Sequence, residues 1–152
     1  MKDILLLVAG LGLVGASFGV HGGPVATLSS AVSVPGLFLL VALLMVPALY
    51  VGLAMRGEGE DLVDLLGKAR DSLGRVGALG LGLGPALLFL VATSAGPGVE
   101  LYLGTLVVAL AAIAGVWRLR NALGLRPASQ GLFAGWALVG LALGYQLLGG
   151  AA

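Results

Sequence analysis

Long apolar runs, broken by short polar ones, dominate this chain. From Ile4 to Met55 there is no Asp, Glu, Lys or Arg, and apolar stretches of similar length recur after residue 75. A helix that crosses a bilayer needs about 20 mostly apolar residues, with roughly 17 to 25 as the ordinary range. That measure divides the chain into five candidate spans, at residues 4–22, 34–55, 76–95, 100–117 and 129–148. The segment HGGPVATLSSAVSVP between the first two reads as a turn-like loop, and GPG at 96–98 joins the third to the fourth. So short a link makes the third and fourth spans antiparallel neighbours. The pattern predicts an all-α polytopic transmembrane bundle forming a single domain over residues 1–152. A four-span count, with the glycine-heavy fifth segment re-entrant or packed on a partner, is the alternative.

The polar segment at 56–75 has a different periodicity. Leu62, Leu66, Ala69 and Leu73 recur at helical spacing, with Leu65 beside them, so residues 59–75 read as a short amphipathic helix. Glu58, Glu60, Asp61 and Asp64 crowd its beginning, whereas Lys68, Arg70 and Arg75 sit toward its end, an order that suits the helix dipole. Asp64–Lys68 and Asp71–Arg75 have the spacing of pairs worth about 0.2–0.5 kcal/mol each. Gly67 and Gly74 weaken the helix. Such an element either lies at the headgroup level and caps the bundle or docks a cytoplasmic partner.

Composition excludes a water-soluble fold. The chain is 59% hydrophobic and 10% charged, whereas a soluble domain carries about a quarter charged residues. Residues 4–55 could not be spread over a surface without large apolar patches. A net charge of +1 without a basic stripe argues against nucleic-acid binding. With no cysteine, disulfides, thiolate metal sites and a cysteine nucleophile are excluded. Val14-Gly15-Ala16 resembles a signal-peptidase site, but MKD carries one charge of each sign, so the first segment is expected to remain as a span.

Charge also gives direction. With five spans all eight basic residues (Lys2, Arg56, Lys68, Arg70, Arg75, Arg118, Arg120 and Arg126) fall on one side. Under the positive-inside rule the N-terminus is cytoplasmic and the C-terminus outside, in a plasma or inner membrane. Tyr50, Trp117 and Trp136 fall toward the inner ends and Tyr102 and Tyr145 toward the outer ends, as interfacial aromatics do.

Small residues suggest how the helices meet. In lipid, helices associate through close backbone approach rather than apolar burial. Gly15 and Gly19, Gly80 and Gly84, Gly131 and Gly135, and Gly140 and Gly144 each stand four apart as candidate helix–helix contacts. Gly12/Gly15/Gly19 and Gly77/Gly80/Gly84 form longer faces, and Ala111 and Gly115 add a further pair. Pro47 and Pro85 each remove a helical hydrogen bond and should bend the second and third spans.

Candidate chemistry is sparse. No ionisable residue stands at mid-span, where it would mark a transport or proton path. Glu100 at the outer mouth of the fourth span and Gln146 within the fifth are the polar candidates for transport or packing. His21 is the sole histidine and cannot by itself build a multi-histidine metal or haem site. No HExxH, GxSxG or GxxxxGK[ST] occurs. No catalytic residue, metal site or cofactor is assigned, and no enzymatic activity is expected. The expected partners are the bilayer and other membrane subunits or copies of the chain itself. The leading expectation is a small accessory or structural subunit that packs or docks within a membrane complex. The runner-up is a small oligomeric transporter or channel using Pro47, Pro85, Glu100 and Gln146.

Overall fold

With no water to satisfy peptide groups in hydrocarbon, apolar segments of this length close their hydrogen bonds internally as helices. The computed structural model describes residues 2–59, 61–94 and 98–151, the side chains at 100 and 147–151 excepted. Its elements are α1 (Lys2–Gly19), a 3-10 turn (Val20–Gly22), α2 (Pro24–Ala54), α3 (Leu62–Thr93), α4 (Val99–Leu123) and α5 (Pro127–Ala151). α1 with its turn, α2, α3 and α4 are each long and apolar enough to cross a bilayer. The chain is a multi-pass membrane protein of four to five spans.

Two elements differ from the sequence reading. The second helix starts at Pro24, ten residues before the expected span, so most of the supposed loop is helical. Pro24 fits at the helix start, where its missing N–H would have had no partner. The hydroxyls that looked loop-like turn back on the helix: Thr27 Oγ1 donates to the carbonyls of Gly19 and Gly23, and Ser33 Oγ to that of Ser29.

The amphipathic segment, in turn, is no separate surface helix. It continues into the third span as one 32-residue helix, about 48 Å long at 1.5 Å per residue. Its buried stripe is Leu65, Ala69, Ser72 and Val76, while Leu62 and Leu66 are exposed. The stripe is rotated from the expected one because Leu49 and Leu53 of α2, Leu119 and Leu123 of α4 and Phe133 of α5 close around Leu65 and Ala69. Nothing breaks the helix at the junction, since Gly74 and Gly77 are buried against α1.

Close approaches fix the helix directions. Asp3 meets Gly74, Leu6 and Leu7 meet Gly77, Gly10 meets Gly77 and Gly80, and Leu13 meets Gly84, so α1 and α3 run parallel. α2 returns antiparallel along α1, with Gly15 on Ser30 and Ala31 and Gly19 on Ala26 and Thr27. α4 packs antiparallel on α3, where Gly115 meets Val76, and touches α1 where Gly104 meets Phe18. α5 follows the far half of α2 antiparallel, with Leu132 on Gly52 and Gly140 near Met45. The N-termini of α1 and α3 and the C-termini of α2 and α4 therefore share one end.

The interior divides accordingly. One apolar cluster joins α1, α2, α3 and α4 through Leu7, Leu11, Val14, Val34, Leu87 and Val91. A second joins α2, α3, α4 and α5 nearer the shared end. α1 thus covers one half of α2 and α5 the other. Gly124, at φ 56, ends α4 in the left-handed conformation that glycine adopts without strain.

A β-carbon at Gly77 would collide with the backbone of Leu6 and Leu7, which cannot turn aside. Gly77→Val is expected to destabilise the bundle by about 1–3 kcal/mol or more, as overpacking does. Gly82, with nothing within 4 Å, is the control: Gly82→Ala should leave the melting temperature in detergent unchanged or raise it. Equal melting temperatures for wild type and Gly77→Val would contradict the seam.

Candidate functional site

Small side chains that bring helices together also leave space where the helices diverge. Between α2, α3, α4 and α5 lies a cavity of about 190 Å³. α1 does not reach it, and Gly140 and Gly144 of α5 leave room in it between the larger Trp136 and Tyr145. Ala112 and Gly115 of α4 are similarly slight. The rest of the wall is mostly apolar, with Phe38, Met45, Val76 and Trp136 among its residues and Thr105 adding a hydroxyl. Ala109 and Tyr145, both exposed, stand at its border.

An apolar cavity of about 150 Å³ in a soluble protein stays dry and admits small hydrocarbons.

Ser72, Thr105, Trp136 and Tyr145 are the polar side chains in the lining. Ser72 is 5% exposed, lines the cavity, and its Oγ has no hydrogen-bond partner among the described residues. Trp136 is held in place by its indole N–H, which donates to the Met45 carbonyl at 2.6 Å, and by its ring contact with Phe133 at 5.3 Å. Ser129, at the start of α5, is the other buried hydroxyl without a partner among the described residues.

Charged groups ring the bundle near this level. Arg70 pairs with Asp3 at 2.8 Å, linking α3 to α1, and Arg118 pairs with Asp71 at 3.3 Å, linking α4 to α3. Arg56 donates to the Ala128 carbonyl and ties the end of α2 to the start of α5. Asp71 pairs across helices, where sequence spacing had suggested Arg75. Both ion pairs are substantially exposed, so each is worth about 0–1 kcal/mol.

The sequence candidates fall in different places. Gly15, Gly19, Gly80 and Gly84 lie at contacts between α1 and its neighbours. Gly140 packs on Met45, both at the cavity wall, and Gly144 has nothing within 4 Å of where a β-carbon would stand. Gly131 and Gly135 also face open space. Pro47 and Pro85 lie within continuous helices, are exposed, and do not line the cavity. Gln146 is exposed beside Tyr145, and the Glu100 side chain lies outside the described residues. Among the described residues no group of three or more His, Asp or Glu side chains gathers to hold a metal ion.

Sequence reasoning missed Ser72, Trp136 as a cavity wall, and Gly10. The available signal for Ser72 was a hydroxyl interrupting the apolar stripe Leu65, Ala69, Val76.

The fold and its apolar cavity define a small, all-helical, multi-span membrane protein. No family model, no curated protein and no solved structure matches the chain.

Trp136→Phe keeps an aromatic ring but removes the donor to Met45. Chemical denaturation in detergent should register a loss of about 0.5–1.5 kcal/mol. An unchanged midpoint would show that this bond does not anchor α5.

Proposed function

We propose that this chain is an accessory or structural subunit of a membrane complex, docking through helix–helix contacts. The observation that carries the reading is the split among its glycines. Gly10, Gly15 and Gly19 of α1 and Gly74, Gly77, Gly80 and Gly84 of α3 are spent inside the bundle, whereas Gly131 and Gly135 of α5 face open space one helical turn apart. Another transmembrane helix, from a larger subunit or a second copy, would find there the small-residue surface that permits close backbone approach. Exposed Leu138 and Val139 extend the same helix with apolar surface. The proposal gives the chain no catalytic step of its own.

The end shared by the N-termini of α1 and α3 carries Lys2, Arg70, Arg75 and Arg118 and is cytoplasmic in this reading, by the positive-inside rule. The membrane is then a plasma or inner membrane. A small oligomeric transporter draws support from the cavity alone. An apolar wall favours a hydrocarbon over a hydrated solute, and Pro47 and Pro85 do not border it.

Native mass spectrometry of gently extracted protein is expected to find a stoichiometric complex with other subunits or with copies of the chain. Gly135→Leu should lower the assembled fraction at least fivefold, equivalent to about 1 kcal/mol of association energy. A monomer in the wild type, or assembly indifferent to Gly135→Leu, would overturn the reading.

A further inference from the structure

Arginines frame the start of α5 from both of the helices it packs on. Arg56, just past α2, donates to the Ala128 carbonyl, and Arg120 of α4 donates to Gln130 Oε1 at 3.3 Å. Arg126 stands immediately before α5 and is exposed. Among the described residues none of these three meets a carboxylate: Arg56 and Arg120 bond neutral oxygens, and Arg126 forms no ion pair. Asp3 and Asp71, the acids nearest in level, are already taken by Arg70 and Arg118. One turn further along α5, Gly131, Ala134, Gly135 and Leu138 recur at helical spacing and are exposed.

A lipid tail gains nothing from small residues, whereas a second helix gains close backbone approach. A helix seated on Gly131 and Gly135, with axes about 8–10 Å apart, brings one of its ends beside the arginines. A second copy fits this position badly. A two-fold contact presents the same patch from both sides, so it would set three arginines against three at one level. Such like-charge facing is what complementary interfaces avoid. We propose, resting on the docking role of Gly131 and Gly135, that α5 takes a transmembrane helix of a different protein that carries Asp or Glu at the end level with Arg120 and Arg126. The small residues set how closely the partner packs, and the arginines select which partner packs there.

The test reconstitutes the full chain in phosphatidylcholine vesicles with three synthetic transmembrane peptides. They share a leucine-rich helix with one Gly-xxx-Gly face and end at both termini in paired Glu, Ser or Lys. Energy transfer from a dye at the C-terminus of the chain reports binding. The Glu peptide should bind at least fivefold more tightly than the Ser peptide, and the Lys peptide more weakly than either. The double variant Arg120→Glu with Arg126→Glu should exchange the order of the Glu and Lys peptides. Raising salt from about 50 mM to about 500 mM should shrink the wild-type preference. Circular dichroism on each variant separates lost binding from lost folding.

Equal affinities for the three peptides, or an order that survives the double charge reversal, would overturn the proposal. So would loss of the order when phosphatidylglycerol replaces phosphatidylcholine, since the arginines would then serve lipid. A native complex made of copies alone, dissolved by both Gly135→Leu and the double variant, would overturn it too, with acids such as Asp61 and Asp64 of a second copy meeting the arginines. Docking is read separately: peptides bound equally by wild type and all lost in Gly135→Leu would remove the acidic partner and leave the docking surface standing.

Discussion

In hydrocarbon, a leucine on one helix gains nothing by exchanging a lipid tail for another leucine. Association must come from atoms packed more closely than lipid can pack. Gly10, Gly77 and Gly80 supply this: the α1 and α3 backbones touch, with a β-carbon at Gly80 only 2.7 Å from the carbonyl carbon of Gly10. Because these helices run parallel, α2 has to return between their ends, and it does so against Gly15 and Gly19. The remaining packing is arranged around that trio, with α4 completing the first apolar cluster.

The same constraint explains the cavity. α2 is 31 residues long, about 46 Å, and α1 covers only its first half. α5 covers the second half from Arg56 back to Met45, held by Trp136 and by the Arg56–Ala128 contact. The space lies among α2, α3, α4 and α5, on a side of the bundle that α1 does not reach, where Gly140 and Gly144 of α5 and Gly115 of α4 leave room beside Trp136.

Much of the fold was legible because the bilayer imposes length and hydropathy. The unbroken apolar stretch from Ile4 to Met55 could hardly be read otherwise, and the all-α bundle followed from it. The start of the second helix was misread because residues that look like loop formers can begin or continue a helix. Pro24 begins a helix, and Thr27 and Ser33 bond back to helical carbonyls. The rotated stripe of α3 depends on which helices surround its first turns, information held by no single segment. Glycine spacing marked surfaces that permit close approach but could not rank them. Gly10, the most crowded partner of Gly77, stands outside every four-residue pair drawn from the sequence, while Gly131 and Gly135 satisfy that spacing and touch nothing. The cavity had no sequence signature beyond small residues, because a void is a property of several helices at once.

The parallel seam also has a history in time. Asp3 and its partner Arg70 are separated by 67 positions, so the α1–α3 contact cannot form until α3 has left the ribosome. At about 5–20 residues per second that is an interval of several seconds. During it the α1–α2 hairpin, closed by Gly15 and Gly19, is the only part of the seam's surroundings that synthesis has completed. Gly10 then faces lipid until its partner arrives. A nascent chain stalled before residue 77 therefore presents to the insertion machinery, and to membrane quality control, a hairpin with its closest-packing surface still uncovered.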